Sequence, residues 1–204
     1  IKSSAASDVY KRQIKHSGNY SAKLQSQYVA LFGIGAFAAG NIFVGKFLKI
    51  DGTDGILRFG RPFTSRPSKL VLYYRYVAGT VDYSTLGELP KNSKDMGSIY
   101  IALGDWPHQT FDGETDIPVL VKTKPADRQL FDSNSSNVIG YGECILKEST
   151  EGEGLIKLEI PINYRSNRKP TDIILVGSAS RYGDYFTGST GSTLWLDDLE
   201  LIYE

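Results

Sequence analysis

Apolar residues alternate with polar ones in short runs along most of this chain. In the clearest run, within residues 155–162, aliphatic side chains occupy every second position. A period of two places successive side chains on opposite faces of a β-strand, so each run predicts a strand with one buried face. The same pattern predicts strands in residues 20–25, 41–49, 69–77, 98–103, 139–147, 173–179 and 192–203.

Turn-forming residues separate these runs, and the sequence contains 21 glycines and 8 prolines. It has no internal repeat and no convincing amphipathic helix. We therefore predict an all-β fold, and specifically a single antiparallel β-sandwich of the jelly-roll type. The longest irregular stretches, residues 80–94 and 105–137, are long enough to be binding loops.

The last run changes phase part-way along. Leu194 and Leu196 define one face, whereas Leu199 and Leu201 continue on the opposite parity. An extra residue at Asp197 and Asp198, forming a β-bulge, would return all four leucines to one apolar face.

The composition of the chain excludes several classes of partner and of site. The 23 basic and 23 acidic side chains cancel, and neither a basic stripe nor a global field favours nucleic acid or an anionic membrane. The longest apolar stretch, residues 29–39, is too short to be a transmembrane segment. One cysteine excludes an internal disulfide framework and a multi-thiolate zinc site.

The amino-terminal segment is interpreted separately from the rest of the chain. The sequence begins with Ile1, and residues 3–13 resemble translated adapter sequence with no strand or helix pattern. We expect residues 1–13 to be non-native or disordered, and the chain to be a fragment or a processed form. Residues 14–204 are long enough for one large β domain, the jelly-roll β-sandwich.

Several stretches together resemble a known family. They are FAAGNIFVGKF at 37–47, FGRPFTSRPSKLVLYYRY at 59–76, DMGSIYIALGDW at 95–106, GYGE at 140–143 and KPTDIILVGSASRYGDYFTGSTGSTLWLDDLELIY at 169–203. This combination is similar to the putative carbohydrate-metabolism domain of cell-envelope proteins in glycan-degrading Bacteroidota, over residues 16–204. The resemblance implies a jelly roll shaped like carbohydrate-binding modules, in an extracytoplasmic parent chain with other domains. It implies no agreed catalytic pair.

Sugar binding needs aromatic faces together with planar polar groups, and one loop concentrates both. Residues 180–188 hold Arg181, Tyr182, Asp184 and Tyr185 between glycines, which would present the two tyrosines side by side. The alternative is that the side chains of this loop fill the end of the sandwich as a structural plug and bind no ligand.

Other ligand-binding candidates lie on or near predicted strands. Trp106 follows a strand and opens a long loop, so it is a candidate for an exposed stacking platform, or else closes the sandwich end. Tyr100 and Tyr141 share strand parity with Glu143 and form a candidate sugar-facing surface. Arginines before prolines, such as Arg66, could add planar donors, or could bind backbone carbonyls in an extended edge segment.

A glycoside hydrolase would need two carboxyl groups on either side of the scissile bond, one with a raised pKa. Glu143 and Asp184 are the weak catalytic candidates, with Asp95 and Asp198 as further carboxylates. Any pair would have to be assembled from different strands.

The acidic pair Asp197 and Asp198 is a candidate for a structural Ca²⁺ site, because the last strand of such jelly rolls often supplies calcium ligands. Two carboxylates do not fill the six to eight oxygen positions that calcium requires. The alternative is a bulge whose aspartates accept backbone hydrogen bonds from a neighbouring loop.

From the residues and the resemblance together, we expect an extracytoplasmic carbohydrate-binding or glycan-presenting module whose partner is an oligo- or polysaccharide. A jelly-roll glycoside hydrolase is the first alternative. A structural or adhesive module without a ligand is the second.

Overall fold

The computed structural model describes residues 7–8, 14–31, 34–52, 54–85 and 87–203. Short 3-10 helices occupy Pro125–Asp127 and Gly183–Tyr185. The strands are β1 (Ser7–Asp8), β2 (Ala22–Gln25), β3 (Gln27–Leu31), β4 (Ile34–Ala38), β5 (Asn41–Phe43), β6 (Gly45–Asp51), β7 (Asp54–Phe59), β8 (Arg61–Pro62), β9 (Lys69–Val77), β10 (Tyr83–Ser84), β11 (Gly97–Gly104), β12 (Gln109–Phe111), β13 (Glu114–Ile117), β14 (Val119–Lys122), β15 (Val138–Leu146), β16 (Ile156–Pro161), β17 (Asn163–Tyr164), β18 (Asp172–Ser178), β19 (Thr187–Gly188) and β20 (Thr193–Ile202).

Two antiparallel sheets form the sandwich. The five-stranded sheet has the order β1-β2-β20-β9-β16, and the six-stranded sheet has the order β17-β15-β11-β18-β5, with β8 also pairing with β18. Their inner faces meet in one apolar core that includes Leu72, Leu194, Ile99 and Ile101, each 0% exposed. Burial of each such side chain contributes about 1.5–3 kcal/mol, so this interface is the main source of stability. The predicted antiparallel β-sandwich is confirmed.

A third layer covers much of the outer face of the six-stranded sheet. It is a three-stranded sheet with the order β14-β7-β6. Phe59 and Val121 from this layer pack with Ala102 and Ile174 in a second apolar cluster. The hairpin β12–β13 supplies Ile117, which packs against the other side of the layer. The six-stranded sheet is therefore buried on both faces along much of its length.

This layer corrects one prediction from the sequence. Residues 105–137, expected to be an irregular binding loop, contain β12, β13 and β14. The alternation is irregular there, because Asp112 between β12 and β13 and Asp116 within β13 adopt positive φ angles of 50° and 56°.

The other predicted strands are present, with two local differences. The run at 41–49 divides at Val44 into β5, which joins the six-stranded sheet, and β6, which joins the third layer. The predicted bulge lies in β20, where the register shifts between Asp197 and Glu200. It returns Leu201 to the core side but leaves Leu199 45% exposed.

At the amino-terminal end, Ser7 and Asp8 pair antiparallel with Leu24 and Lys23 of β2. The rest of residues 1–13 lies outside the described residues. Across the part of the chain that is described, no helix combines the length and the apolar character needed to span a bilayer.

A buried polar network ties together the loops at one end of the sandwich. Asp95 is 0% exposed, and its Oδ2 accepts hydrogen bonds from Ser180 Oγ at 2.6 Å, Ser192 Oγ at 2.7 Å and the Ser189 N–H at 2.9 Å. Its Oδ1 accepts the N–H of Met96 at 2.8 Å. Burial raises the pKa of Asp95, and these donors offset part of the rise. This Asp95 network fixes where the loop after β18 begins.

Candidate functional site

Aromatic and acidic side chains lie next to one another on the outer face of the six-stranded sheet. In the register, Tyr100 of β11 is opposite Glu143 of β15 and Val176 of β18. Tyr141 lies two residues before Glu143, opposite Ala102. Side chains two residues apart on a strand share a face, so the two tyrosines and the glutamate form one patch.

The loop after β18 carries polar side chains to this patch. It begins in the Asp95 network, and the N–H of Arg181 then donates to the carbonyl of Met96 at 2.6 Å. Gly183 approaches Ala39 so closely that a Cβ at position 183 would lie 2.3 Å from the Ala39 Cβ. Glycine is therefore required at 183 for the close approach of two backbones.

Arg181 and Glu143 form an ion pair across the loop and the sheet, in which Arg181 Nη1 donates to Glu143 Oε1. Burial acts to lower the pKa of Arg181, but the hydrogen bond and the charge of Glu143 outweigh it, and the pKa is raised. The side chains remain 27% and 19% exposed, respectively. The pair is therefore oriented and charged, and part of it still faces solvent.

The two tyrosines of the patch are held by an aromatic neighbour from the 105–137 segment. Phe131 stacks on Tyr100 with ring centroids 5.5 Å apart and an interplanar angle of 7°, and it lies 6.5 Å from the Tyr141 ring. Burial raises the pKa of Tyr100 far above its usual value, and the charges of Asp184 and Glu143 add to the rise. Both carboxylates are thus close enough to Tyr100 to act on it electrostatically.

Asp184 completes the cluster from the short helix Gly183–Tyr185. Burial raises the pKa of this carboxyl group, and the charge of Arg128 offsets part of the rise. Asp184, Arg181 and Tyr100 line a narrow cleft of about 50 Å³ between the loop and the sheet. A space of this size holds a few water molecules or a small substituent.

Two more tyrosines lie on the same loop as Arg181 and Asp184. Tyr182 and Tyr185 are partly buried, and their rings meet edge to face, with centroids 6.4 Å apart at 61°. The guanidinium of Arg128 lies 5.0 Å from the centre of the Tyr185 ring. The predicted pair of tyrosines is therefore present, but the rings do not form one flat platform.

With this geometry in place, comparison with known families identifies the chain. A model of one protein family, described as the putative carbohydrate metabolism domain, matches residues 2–202. The chain belongs to this family. No functionally curated protein is significantly similar to it.

Two solved structures resemble this carbohydrate metabolism domain. One is described as a putative glycoside hydrolase from Bacteroides thetaiotaomicron, with 23% identity and a TM-score of 0.65 over 97% of this chain and 58% of that one. The other is described as a putative glycoside hydrolase from Bacteroides vulgatus, with 25% identity and a TM-score of 0.64 over 94% of this chain and 76% of that one. The domain thus spans little more than half the length of the first of these proteins.

The family member described here brings together most of the ligand-binding residues expected from its sequence. They are Tyr100, Tyr141, Arg181, Tyr182, Asp184 and Tyr185, together with the catalytic candidate Glu143.

Trp106 is placed differently from the exposed platform considered above. It is 7% exposed, and its ring meets Phe131 edge to face with centroids 6.2 Å apart. It belongs to the second apolar cluster, because the segment that follows it folds back as the third layer. The Trp106 ring is therefore a core element of the domain and not a stacking surface.

Asp197 and Asp198 hold the loop that follows the amino-terminal segment. The His16 N–H donates to Asp197 Oδ2 at 2.8 Å, the His16 ring contacts Asp198 Oδ2 through Nδ1 at 2.7 Å, and Ser17 Oγ donates to Asp198 Oδ1 at 2.9 Å. The aspartates of the domain thus have the loop contacts that were the alternative to calcium. Among the described residues, no group of three or more histidine, cysteine, aspartate or glutamate side chains is arranged to hold a metal.

Two residues that pack against the aromatic cluster were not expected from the sequence, one on Tyr100 and one on Tyr185. Arg128 and Phe131 lie in the segment interpreted as irregular, where no periodicity indicates which side chains point inward. Arg66 has the structural role considered for it, because its guanidinium donates to the carbonyls of Arg168 and Ser166 at 2.5 and 3.0 Å.

Proposed function

We propose that this domain binds carbohydrate at the cleft between the loop 180–186 and the outer face of the six-stranded sheet. The observation that carries the proposal is the Arg181–Glu143 pair, which is oriented, charged and partly exposed beside aromatic rings. Such a pair presents planar donors and acceptors that match neighbouring sugar hydroxyls, and its geometry is fixed before the ligand arrives.

The size of the cleft indicates how a sugar would bind. About 50 Å³ accepts a substituent of a sugar ring but not the ring itself. In this proposal, a hydroxyl or hydroxymethyl group enters between Arg181 and Asp184, and the ring lies outside against Tyr182 and Tyr185. The apolar face of a sugar stacks on aromatic rings, so the two tyrosines would add affinity and the cleft would add selectivity.

A glycan array with the purified chain tests the proposal, run in added calcium and again with a chelator. We expect specific binding to a defined glycan class, lost in Arg181→Ala and retained in Arg168→Ala, a control arginine that contacts Asp105 away from the cleft. A blank array would favour the structural or adhesive alternative. Loss of binding on chelation would favour calcium at Asp197 and Asp198.

Hydrolysis is a second candidate function, favoured by one specific observation. Asp184 has a raised pKa and lies near Tyr100 together with Glu143, as a general acid and a second carboxylate would. Two solved relatives are also described as putative glycoside hydrolases. Release of reducing sugar from the glycan found on the array tests this function. Turnover that is abolished by both Asp184→Asn and Glu143→Gln would establish hydrolysis, and binding without turnover would reject it.

We further propose that the domain is part of a longer extracytoplasmic envelope protein. The support is that a solved relative is longer than the region matched here, of which 58% is covered. Polysaccharides too large to cross a membrane are met outside the cytoplasm, which agrees with this location. Surface labelling or fractionation of cells that express the parent chain would test it.

A further inference from the structure

A second concave surface lies on the opposite side of the molecule, on the outer face of the five-stranded sheet. It is an open groove of about 660 Å³, formed over β9, β16 and the carboxyl-terminal half of β20. The candidate functional site lies on the outer face of the other sheet, so the two surfaces share no lining residue. We call this surface the β9–β20 groove.

The floor of the β9–β20 groove is apolar. Val71 and Tyr73 of β9 line it, together with Ile202 of β20. The bulge between Asp197 and Glu200 leaves Leu199 outward, where it is 45% exposed and adds to the lining. Leu199 thus stays on the outer face, where alternation from Leu194 and Leu196 already places it, while the bulge returns Leu201 to the core side.

One wall of the groove is built by the loop at residues 14–20. The His16 ring stacks on Tyr73 with centroids 3.3 Å apart and an interplanar angle of 12°, and its Nδ1 contacts Asp198 at 2.7 Å. Two aspartates on the bulge hold His16, so this wall does not depend on the ring stack alone. The imidazole remains 41% exposed and offers a flat surface to the groove.

The rim of the groove is charged but balanced. Glu159 is bridged by Lys157 at 2.6 Å and by Lys69 at 3.0 Å. This pairing raises the pKa of Lys157 and lowers that of Glu159. Two lysines thus lie among three carboxylates, those of Glu159, Asp198 and Glu200, and His16 adds a ring nitrogen that contacts Asp198. Neither a polyanion nor a polycation is favoured by such a rim, whereas a neutral polyol finds both donors and acceptors.

The same face continues beyond the groove to a second aromatic side chain. Trp195 lies two residues before Asp197 on β20, and Asp197 is opposite Tyr73. The Trp195 ring is flanked by Arg75 at 5.1 Å and by Lys23 at 5.7 Å. The Nε of Arg75 is buried without a hydrogen-bond partner among the described residues. An amphipathic ligand could thus extend from one aromatic ring to the next.

We propose that the β9–β20 groove is a second carbohydrate-binding site, which takes a neutral oligosaccharide chain lying across the strands. The apolar floor and the His16 wall would contact the sugar rings, and the Lys157–Glu159–Lys69 bridge would bind hydroxyls. The proposal rests on the proposed function only in assuming that the domain meets carbohydrate, because it uses a separate surface.

The test is a titration of the full chain, followed by backbone amide NMR shifts, with cellohexaose, xylohexaose, mannohexaose and laminarihexaose as probes. We expect at least one neutral hexaose to shift amides of β9, β16 and β20 saturably. The double variant Lys157→Ala/Glu159→Ala should weaken this binding at least tenfold with little change in melting temperature, because both side chains are about half exposed. The control Glu88→Ala/Lys91→Ala, on an exposed loop, should bind as the unmodified chain does.

Arg181→Ala separates the two proposals. Groove shifts that persist in Arg181→Ala support the second site whether or not the first site binds sugar. Shifts confined to the loop 180–186 in the unmodified chain would overturn the groove proposal and leave the proposed function intact. The groove proposal is also overturned if no neutral hexaose shifts groove amides, or if the Lys157/Glu159 variant binds unchanged.

Discussion

Two carboxylate clusters at the loop after β18, the Asp95 network and the group of Glu143, Arg181 and Asp184, differ in how far their side chains are exposed. In the Asp95 network, a fully buried aspartate accepts hydrogen bonds from two serine hydroxyls and two backbone N–H groups. Beside the cleft, Glu143 has its ion pair with Arg181 and remains 19% exposed, while Arg181 and Asp184 line the cleft itself.

The difference lies in how completely each cluster is satisfied. A buried network whose members all have partners stabilises one arrangement and has no capacity left for a ligand. A cluster that is oriented but partly exposed keeps donors and acceptors available. The Asp95 network therefore holds the loop in place, and the cleft formed by that loop is the surface on which binding is proposed.

Removal of the Asp95 carboxylate should lower the free energy of unfolding more than any other change considered below. Asp95→Ala leaves buried hydroxyl and N–H donors without an acceptor, so we expect a loss of about 3–5 kcal/mol in the free energy of unfolding. Urea denaturation measures it. Asp82→Ala is the matched control, because Asp82 accepts hydrogen bonds from Thr190 but is exposed, and it should cost less than about 1 kcal/mol. Equal effects of the two variants would show that the Asp95 network is not structural.

Gly183→Ala would displace the loop without removing a charged group, and it should reduce stability less than Asp95→Ala does. Gly183→Ala forces a Cβ to within 2.3 Å of the Ala39 Cβ, so we expect a cost of about 1–3 kcal/mol together with loss of glycan binding. Ala39→Gly in the same chain should recover part of both losses. Gly154→Ala, at a position with open space, is the control. Unchanged thermal unfolding and binding in Gly183→Ala would contradict the close approach.

The ionisation of Asp184 should change stability with pH, and this change should be the smallest of the three effects. Its pKa is raised in the folded state, so the native chain keeps this proton to a higher pH than the unfolded chain does. Stability therefore falls as pH rises from the ordinary aspartate pKa through the raised value, and it stays lower above that value. Asp184→Asn removes this loss, so its free energy of unfolding relative to that of the unmodified chain should increase from acid to neutral pH, by less than about 1 kcal/mol. A pH-independent difference would contradict the assignment.

Much of the sandwich could be predicted because its long strands carry aliphatic or aromatic residues at every second position over eight or nine residues. The period-two runs at 69–77 and 98–103 correspond to β9 and β11. Within the third layer, β6 was predicted in part by the run at 41–49, whereas β7 and β14 were missed because they are only six and four residues long. An alternation of apolar and polar residues must continue over several repeats before it can be distinguished from chance.

The candidate site could be predicted in part, for two separate reasons. Strand parity placed Tyr100, Tyr141 and Glu143 on one face, and glycine spacing grouped Arg181 with Asp184. That these two groups meet depends on the long-range contact between Gly183 and Ala39, which no local pattern encodes. The burial of Trp106, one of the two alternatives that the sequence left open, depends on its packing with the third layer.

The β9–β20 groove is the feature furthest from what local sequence indicates. Its wall is formed by His16, which lies far in sequence from the aspartates that bind it. The bulge in β20 was expected, but the outward position of Leu199 was not. The His16 wall arises from tertiary contacts and not from periodicity.

The most direct test of the account compares affinity and stability in Arg181→Ala. For the oligosaccharide that gives the strongest array signal, the dissociation constant at the cleft and the free energy of unfolding in urea would be measured on the same preparations. The account predicts at least tenfold weaker binding with a loss of stability of only about 1 kcal/mol, because the pair with Glu143 is partly exposed. Unchanged affinity, or a loss of stability as large as that of Asp95→Ala, would contradict the claim that the open cluster binds and the closed one supports it.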